Sequence, residues 1–170
     1  MMNNDHISRQ LDETFKKLMN EFDRFEPEQI NLVPFAGSWT AGQLVQHLVM
    51  ATSGMVDVLQ GPVAEAERQP DELAQRIKDD FLNFNVKFTA AGFIRPDERD
   101  YDKTELLAAL KKIDEGIVNA IETMDLEKIC LAFELPVYGK LTRYEMLTLV
   151  IYHMQRHIHQ LENIYKKLIK

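Results

Sequence analysis

Four stretches of this chain repeat apolar side chains every three or four residues, the period of an amphipathic helix. The first covers residues 5–24 and carries Ile7, Leu11, Phe15, Leu18, Phe22 and Phe25. A second starts at Trp39-Thr40, where Thr40 and Gln43 have the form of a capping box, and Gly61-Pro62 stops it. Its inward stripe reads Leu44, His47, Leu48, Ala51, Met55 and Val58. The third runs from about 103 to 124 with Leu106, Leu107, Leu110, Ile113, Ile117, Ala120 and Ile121 as its buried side. The last opens on a second capping-box pattern, Thr142 with Glu145, and reaches about Leu168 through Met146, Leu149, Val150, His153, His157, Leu161 and Ile164.

Between these stretches, Pro27, Pro34 and Gly37 mark a first connection, and Pro136 and Gly139 lie in the last one, over 125–141. Residues 63–102 are the least regular part of the chain. They hold one short helix near 72–84, followed by an extended crossover through Gly92 and Pro96. Strand signals are nearly absent. The expected fold class is therefore all-α: a four-helix bundle with a long crossover connection, plus a short extra helix. A chain of 170 residues with 45% hydrophobic content suits one domain over 1–170, since either half alone has too little core.

Charge narrows the function classes. A formal net charge of −7 without a basic stripe argues against nucleic-acid binding, because neutralising phosphates needs clustered Lys and Arg. The terminal Lys166, Lys167 and Lys170 instead suit the last turn of a helix. The polar start, Met1-Met2-Asn3-Asn4-Asp5-His6, has no secretory pattern, and the most apolar stretch, around Met146 to Tyr152, is too short to span a bilayer. A cytoplasmic protein with no membrane partner is expected. The single cysteine, Cys130, fits a reducing compartment and reads as a small buried hydrophobe rather than a nucleophile.

The last helix carries two histidines on its apolar stripe. Residues four apart share a helix face with about 5–6 Å between their Cβ atoms, so His153 and His157 can reach one ion. His159, about 200° round the helix from His157, points elsewhere. His47 interrupts the second helix in the same way and near mid-length, so all three can meet at mid-bundle. Two readings are open: three separately hydrogen-bonded neutral histidines, or three ligands of one divalent metal ion. Three imidazoles with a fourth position left to solvent suit an open zinc or nickel site, and copper or iron on ligand type alone.

Around this constellation, Gln160 shares the face of His153 and His157, where it can orient a ligand or simply end the core. Glu145, eight residues before His153, is a second orienting candidate. Arg156 suits either an anionic substrate group or a surface ion pair. Phe81, Phe84, Phe88 and Phe93 suit a pocket, an interface or a small buried cluster under the loop. A zinc peptidase needs a glutamate directly after its first ligand histidine. Met154 stands there, which removes that reading. No glycine-rich phosphate loop or serine elbow is present, and no residue is placed as a general base.

Ser38-Trp39-Thr40 leading to His47-Leu48, together with His153-Met154-Gln155-Arg156-His157-Ile158-His159-Gln160, resembles the DinB/YfiT-like superfamily of small bacterial metal-binding four-helix bundles. The final stretch looks like that family's His-x-x-(Arg/His)-His-x-x-Gln pattern. The resemblance covers nearly the whole chain. It implies a homodimer with nickel, zinc or another divalent ion on His47, His153 and His157. It also implies a thiol-dependent S-transferase or metal-dependent hydrolase acting on a small electrophile, with water or a low-molecular-weight thiol activated by the metal as Lewis acid. A non-catalytic dimeric module that binds metal or a small ligand is the alternative, and a vestigial site is a third.

Overall fold

The computed structural model describes residues 4–170; Met1, Met2 and Asn3, which begin the polar start of the chain, lie outside the described residues. Four helical arms form the bundle: α1 (Asn4–Asp23), α2 (Ala41–Thr52) with its continuation α3 (Met55–Gln60), α5 (Lys103–Ile121) and α6 (Arg143–Leu168). The short extra helix is α4 (Ala74–Leu82), and the crossover adds one 3-10 turn at Gly92–Ile94. Among the described residues, no helix is long and apolar enough to cross a membrane.

Both capping boxes form. Thr40 Oγ1 accepts from the Gln43 N–H while Gln43 returns a bond to the Thr40 N–H, and Thr142 and Glu145 do the same at α6. Each box satisfies backbone donors that a first helical turn otherwise leaves open, which fixes where the two histidine-bearing helices begin. At its other end α6 places Lys166 and Lys167 in the last turn, where they complement the helix dipole.

The second helix departs from the expected single rod. It breaks at Ser53-Gly54, where Gly54 sits at φ −91° and ψ 4° and the Thr52 hydroxyl donates back to the Leu48 carbonyl at 2.7 Å. A glycine without Cβ and a threonine that bonds its own preceding turn together interrupt the ladder.

Packing is not sequential. Helix α1 packs against α5 and α6, and α2 packs against the same two, so the first two helices face each other across the bundle. One continuous core results, with Phe15, Phe22, Leu44, Leu48, Leu110, Ile117, Leu161 and Ile164 fully buried or nearly so. Cys130 is buried in it, and burial pushes its thiol pKa up, as suits a hydrophobe. The crossover is tied down twice. Val63–Ala64 (β1) pairs antiparallel with Ile129–Cys130 (β2), and α4 packs along α6.

At the end of the crossover, Asn31 bonds both the N–H and the carbonyl of Tyr101, and the Gly42 N–H donates to the Ile30 carbonyl at 2.7 Å, which brings the first connection against the start of α2. Gly42 permits that approach. A Cβ there would lie 3.1 Å from both the Ile30 carbonyl oxygen and Asn31 Oδ1.

One polar residue on the α5 stripe escapes the apolar pattern. Asp114 falls one turn after Leu110, is 5% exposed, and has an Oδ1 with no partner. Burial first, and then Asp12 across the helix seam, raise its pKa from 3.8 to about 6, against a smaller opposing pull from Lys16. The folded state therefore holds this proton more tightly than the unfolded chain does. The resulting stabilisation is complete below pH 3.8 and is lost as pH rises through about 6. Asp114→Asn is expected to raise the melting temperature at pH 7, by on the order of 1–2 kcal/mol of stability after discounting for solvent at Asp12. Melting curves at pH 4 and pH 7 check this; an equal effect at both would contradict it.

Candidate metal centre

The three histidines meet at the seam between α2 and α6. His47 is 2% exposed and His157 9%, while His153 is partly exposed, so the cluster lies at the edge of the core rather than sealed within it. His153 Nε2 stands 3.2 Å from His47 Nε2 and 3.0 Å from His157 Nε2. The ligand atoms all lie within 4.8 Å of one another, and no cysteine or carboxylate joins them among the described residues.

The outward nitrogens decide the tautomers. His47 Nδ1 donates to the Ile94 carbonyl at 2.7 Å, since a carbonyl can only accept. His157 Nδ1 donates to Gln160 Oε1 at 2.9 Å. In both neutral rings, Nε2 is therefore a bare lone pair aimed at the cluster. His153 Nε2 carries at most one hydrogen and can donate it to only one of them, so at least one of the two close nitrogen pairs is left without a hydrogen bond. A cation among the three resolves that conflict. Nitrogens bound to zinc at tetrahedral angles lie about 3.3 Å apart, close to the two separations found. The donor set fits a divalent ion.

Electrostatics agree. Burial lowers the pKa of His47, partly offset by the Ile94 bond. Burial, followed by the charges of His157, His47 and Arg156, holds His153 well below its ordinary value. His157 falls to about 3, through burial and then His47, with Gln160 opposing. All three rings are neutral at pH 7, the form that binds metal.

Neighbouring segments wall the cluster. Trp39, just ahead of the Thr40 cap, lies with its ring centroid 5.2 Å from that of His47, which gives the Ser38-Trp39-Thr40 motif a physical role. On the other side Phe81 meets His153 edge-on at 5.7 Å and stacks on Phe88 at 5.6 Å. The phenylalanines do not form a buried cluster under the loop. Phe81 packs against the core, but Phe84, Phe88 and Phe93 are 46%, 54% and 72% exposed, because the crossover runs over the surface here.

Of the expected orienting groups, Gln160 is at the site and Glu145 is not. Glu145 sits at the first turn of α6, and its carboxylate is taken by Arg68 at 2.5 and 2.6 Å, the Leu73 N–H at 2.8 Å and the Thr142 N–H at 3.0 Å. Eight residues of helix rise set it about 12 Å from His153. Arg156 takes up neither of its expected roles, since its guanidinium bonds backbone carbonyls. His159 stacks on Phe84 at 4.0 Å, away from the cluster, and His6 is exposed on α1. The Ile94 carbonyl was not foreseeable from residue type, because any residue offers one.

A sequence model of the DinB superfamily matches residues 10–161. The Bacillus subtilis (strain 168) protein YuaE, itself uncharacterized, is 25% identical over 154 residues, 88% of this chain and 91% of its own length. The solved structure of YfiT from Bacillus subtilis, described as a probable metal-dependent hydrolase with an unusual four-helix bundle topology, matches with a TM-score of 0.64. The match covers 99% of this chain and 90% of that one at 16% identity, a likeness of fold.

Proposed function

The chain belongs to the DinB superfamily, and from that premise we propose that it holds a divalent ion, zinc or nickel, on His47, His153 and His157. In this reading the centre serves hydrolysis of a small electrophile, or transfer of a low-molecular-weight thiol to one. The observation that carries the reading is the convergence of three neutral Nε2 atoms, two with tautomers fixed by the Ile94 carbonyl and Gln160.

A bound divalent ion supplies Lewis acidity, which lowers the pKa of water or a thiol at its open position. The chain's own residues do the rest. Three imidazoles leave a fourth position free, the arrangement of catalytic rather than structural zinc sites. The Ile94 carbonyl and Gln160 orient His47 and His157, and hydrogen bonds of this kind raise ligand basicity. Trp39 and Phe81 lie against two flanks of the histidine set.

Protein purified without an affinity tag is expected to carry stoichiometric divalent metal by elemental analysis, and its His153→Ala variant none. Loaded wild-type protein is then offered a panel of activated esters and aryl halides, with water or small thiols as the second reactant. Turnover that His153→Ala lacks supports the enzyme. Equal turnover by the two proteins removes the catalytic reading and leaves a binding module, whereas a metal-free wild type removes both.

A further inference from the structure

Arg156 lies between two of the histidines in sequence, yet its guanidinium pairs with no carboxylate among the described residues. Nη1 donates to the carbonyls of Phe81 at 3.1 Å and Asn83 at 3.0 Å, and Nη2 donates to the Val86 carbonyl. Phe81 stands in the last turn of α4 and Asn83 is its C-cap, so their carbonyls belong to the group a helix end leaves without intrahelical partners. Helix α4 has no basic residue of its own in that turn. A cation from α6 supplies what the dipole of α4 lacks.

The same guanidinium lies 4.6 Å from the centroid of Phe88. Phe88 stacks on Phe81, and Phe81 meets the His153 ring. One side chain thus ties the end of α4, the strand of chain after it and two aromatic rings to the exposed side of a ligand histidine. Three of its five N–H donors are spent on these carbonyls.

We propose that Arg156 is a positioning residue of the metal centre: by capping α4 and bracing residues 83–88, it holds Phe81 against His153, with Phe88 stacked behind it, and so fixes that ring as a ligand. The inference rests on the metal reading above. Only a guanidinium suits the task, since its planar fork reaches three carbonyls at once, whereas a lysine ammonium is a point charge on a flexible stem.

Cobalt(II) is the probe, because its visible bands report coordination geometry. Arg156→Ala is expected to change those bands and to release cobalt to a chelator about 10-fold faster than wild type. Arg156→Lys is expected to behave like the alanine variant, not like wild type. In metal-free protein, the amides of residues 83–88 are expected to exchange faster in both variants. Wild-type bands and release rate in Arg156→Ala, or full rescue by lysine, overturn the proposal. If Arg156→Ala does not fold, Phe88→Ala leaves the carbonyl bonds intact and still tests the wall: unchanged bands and release would overturn it. A wild type that shows no cobalt spectrum at all sinks the metal reading, and this inference with it.

Discussion

Saturating zinc or nickel is expected to raise the melting temperature of the wild-type protein and to leave that of His153→Ala unchanged. A ligand that binds only the folded state stabilises it by about 2.7 kcal/mol at 100 times its Kd. For a chain of this length that corresponds to a rise of roughly 5–10 °C. His153 is the sharpest single test because its Nε2 lies 3.2 and 3.0 Å from the other two and so occupies the middle of the set. Gln160→Ala is expected to keep the shift but to need about 10–100-fold more metal, since it loses only the acceptor that orients His157. An equal shift in wild type and His153→Ala would place the metal elsewhere.

Arg68→Ala is expected to cost about 3–5 kcal/mol and to lower the melting temperature by roughly 10 °C, the largest stability loss of any single substitution considered. The Glu145 side chain is fully buried, and Arg68, 22% exposed, grips both its oxygens. Removing the arginine leaves a carboxylate in the core with only the Leu73 and Thr142 N–H groups to answer it. Glu145→Gln is expected to cost less, because Arg68 reaches solvent once released. Metal content in Arg68→Ala is expected to match wild type, since Glu145 serves the start of α6 and not the metal. A drop of only a degree or two in thermal unfolding would show the pair to be dispensable.

Local features were the legible ones. The two capping boxes, the stripes of α1, α5 and α6, and the shared face of His153 and His157 follow from spacings of three and four residues, while the approach of His47 rests on its place near mid-helix. Asp114 was within reach of the same reasoning, standing four after Leu110, but a stripe traced through apolar residues alone passes over a polar member. What could not be read depends on segments without period. The Ile94 carbonyl, the Arg68 partner of Glu145 and the Asn83 and Val86 carbonyls held by Arg156 all lie in irregular parts of the crossover. Nothing in its composition says where its backbone runs. Glu145 shows the cost: its position suggested the metal face, and only the arrival of Arg68 from 77 residues earlier explains it.

Helix α1 finds its partners in α5 and α6 rather than in α2, and the three clustered histidines come from α2 and α6. The second and third arms meet, since α5 packs against both α2 and α3, but the faces that α1 and α2 share with α6 are completed only by the last arm. During synthesis at roughly 5–20 residues per second, the faces of α1 and α2 that meet α6 must therefore wait several seconds, uncovered, until that helix leaves the ribosome. The growing chain has no assembled histidine cluster through that interval, and it is then that a chaperone has most to offer it.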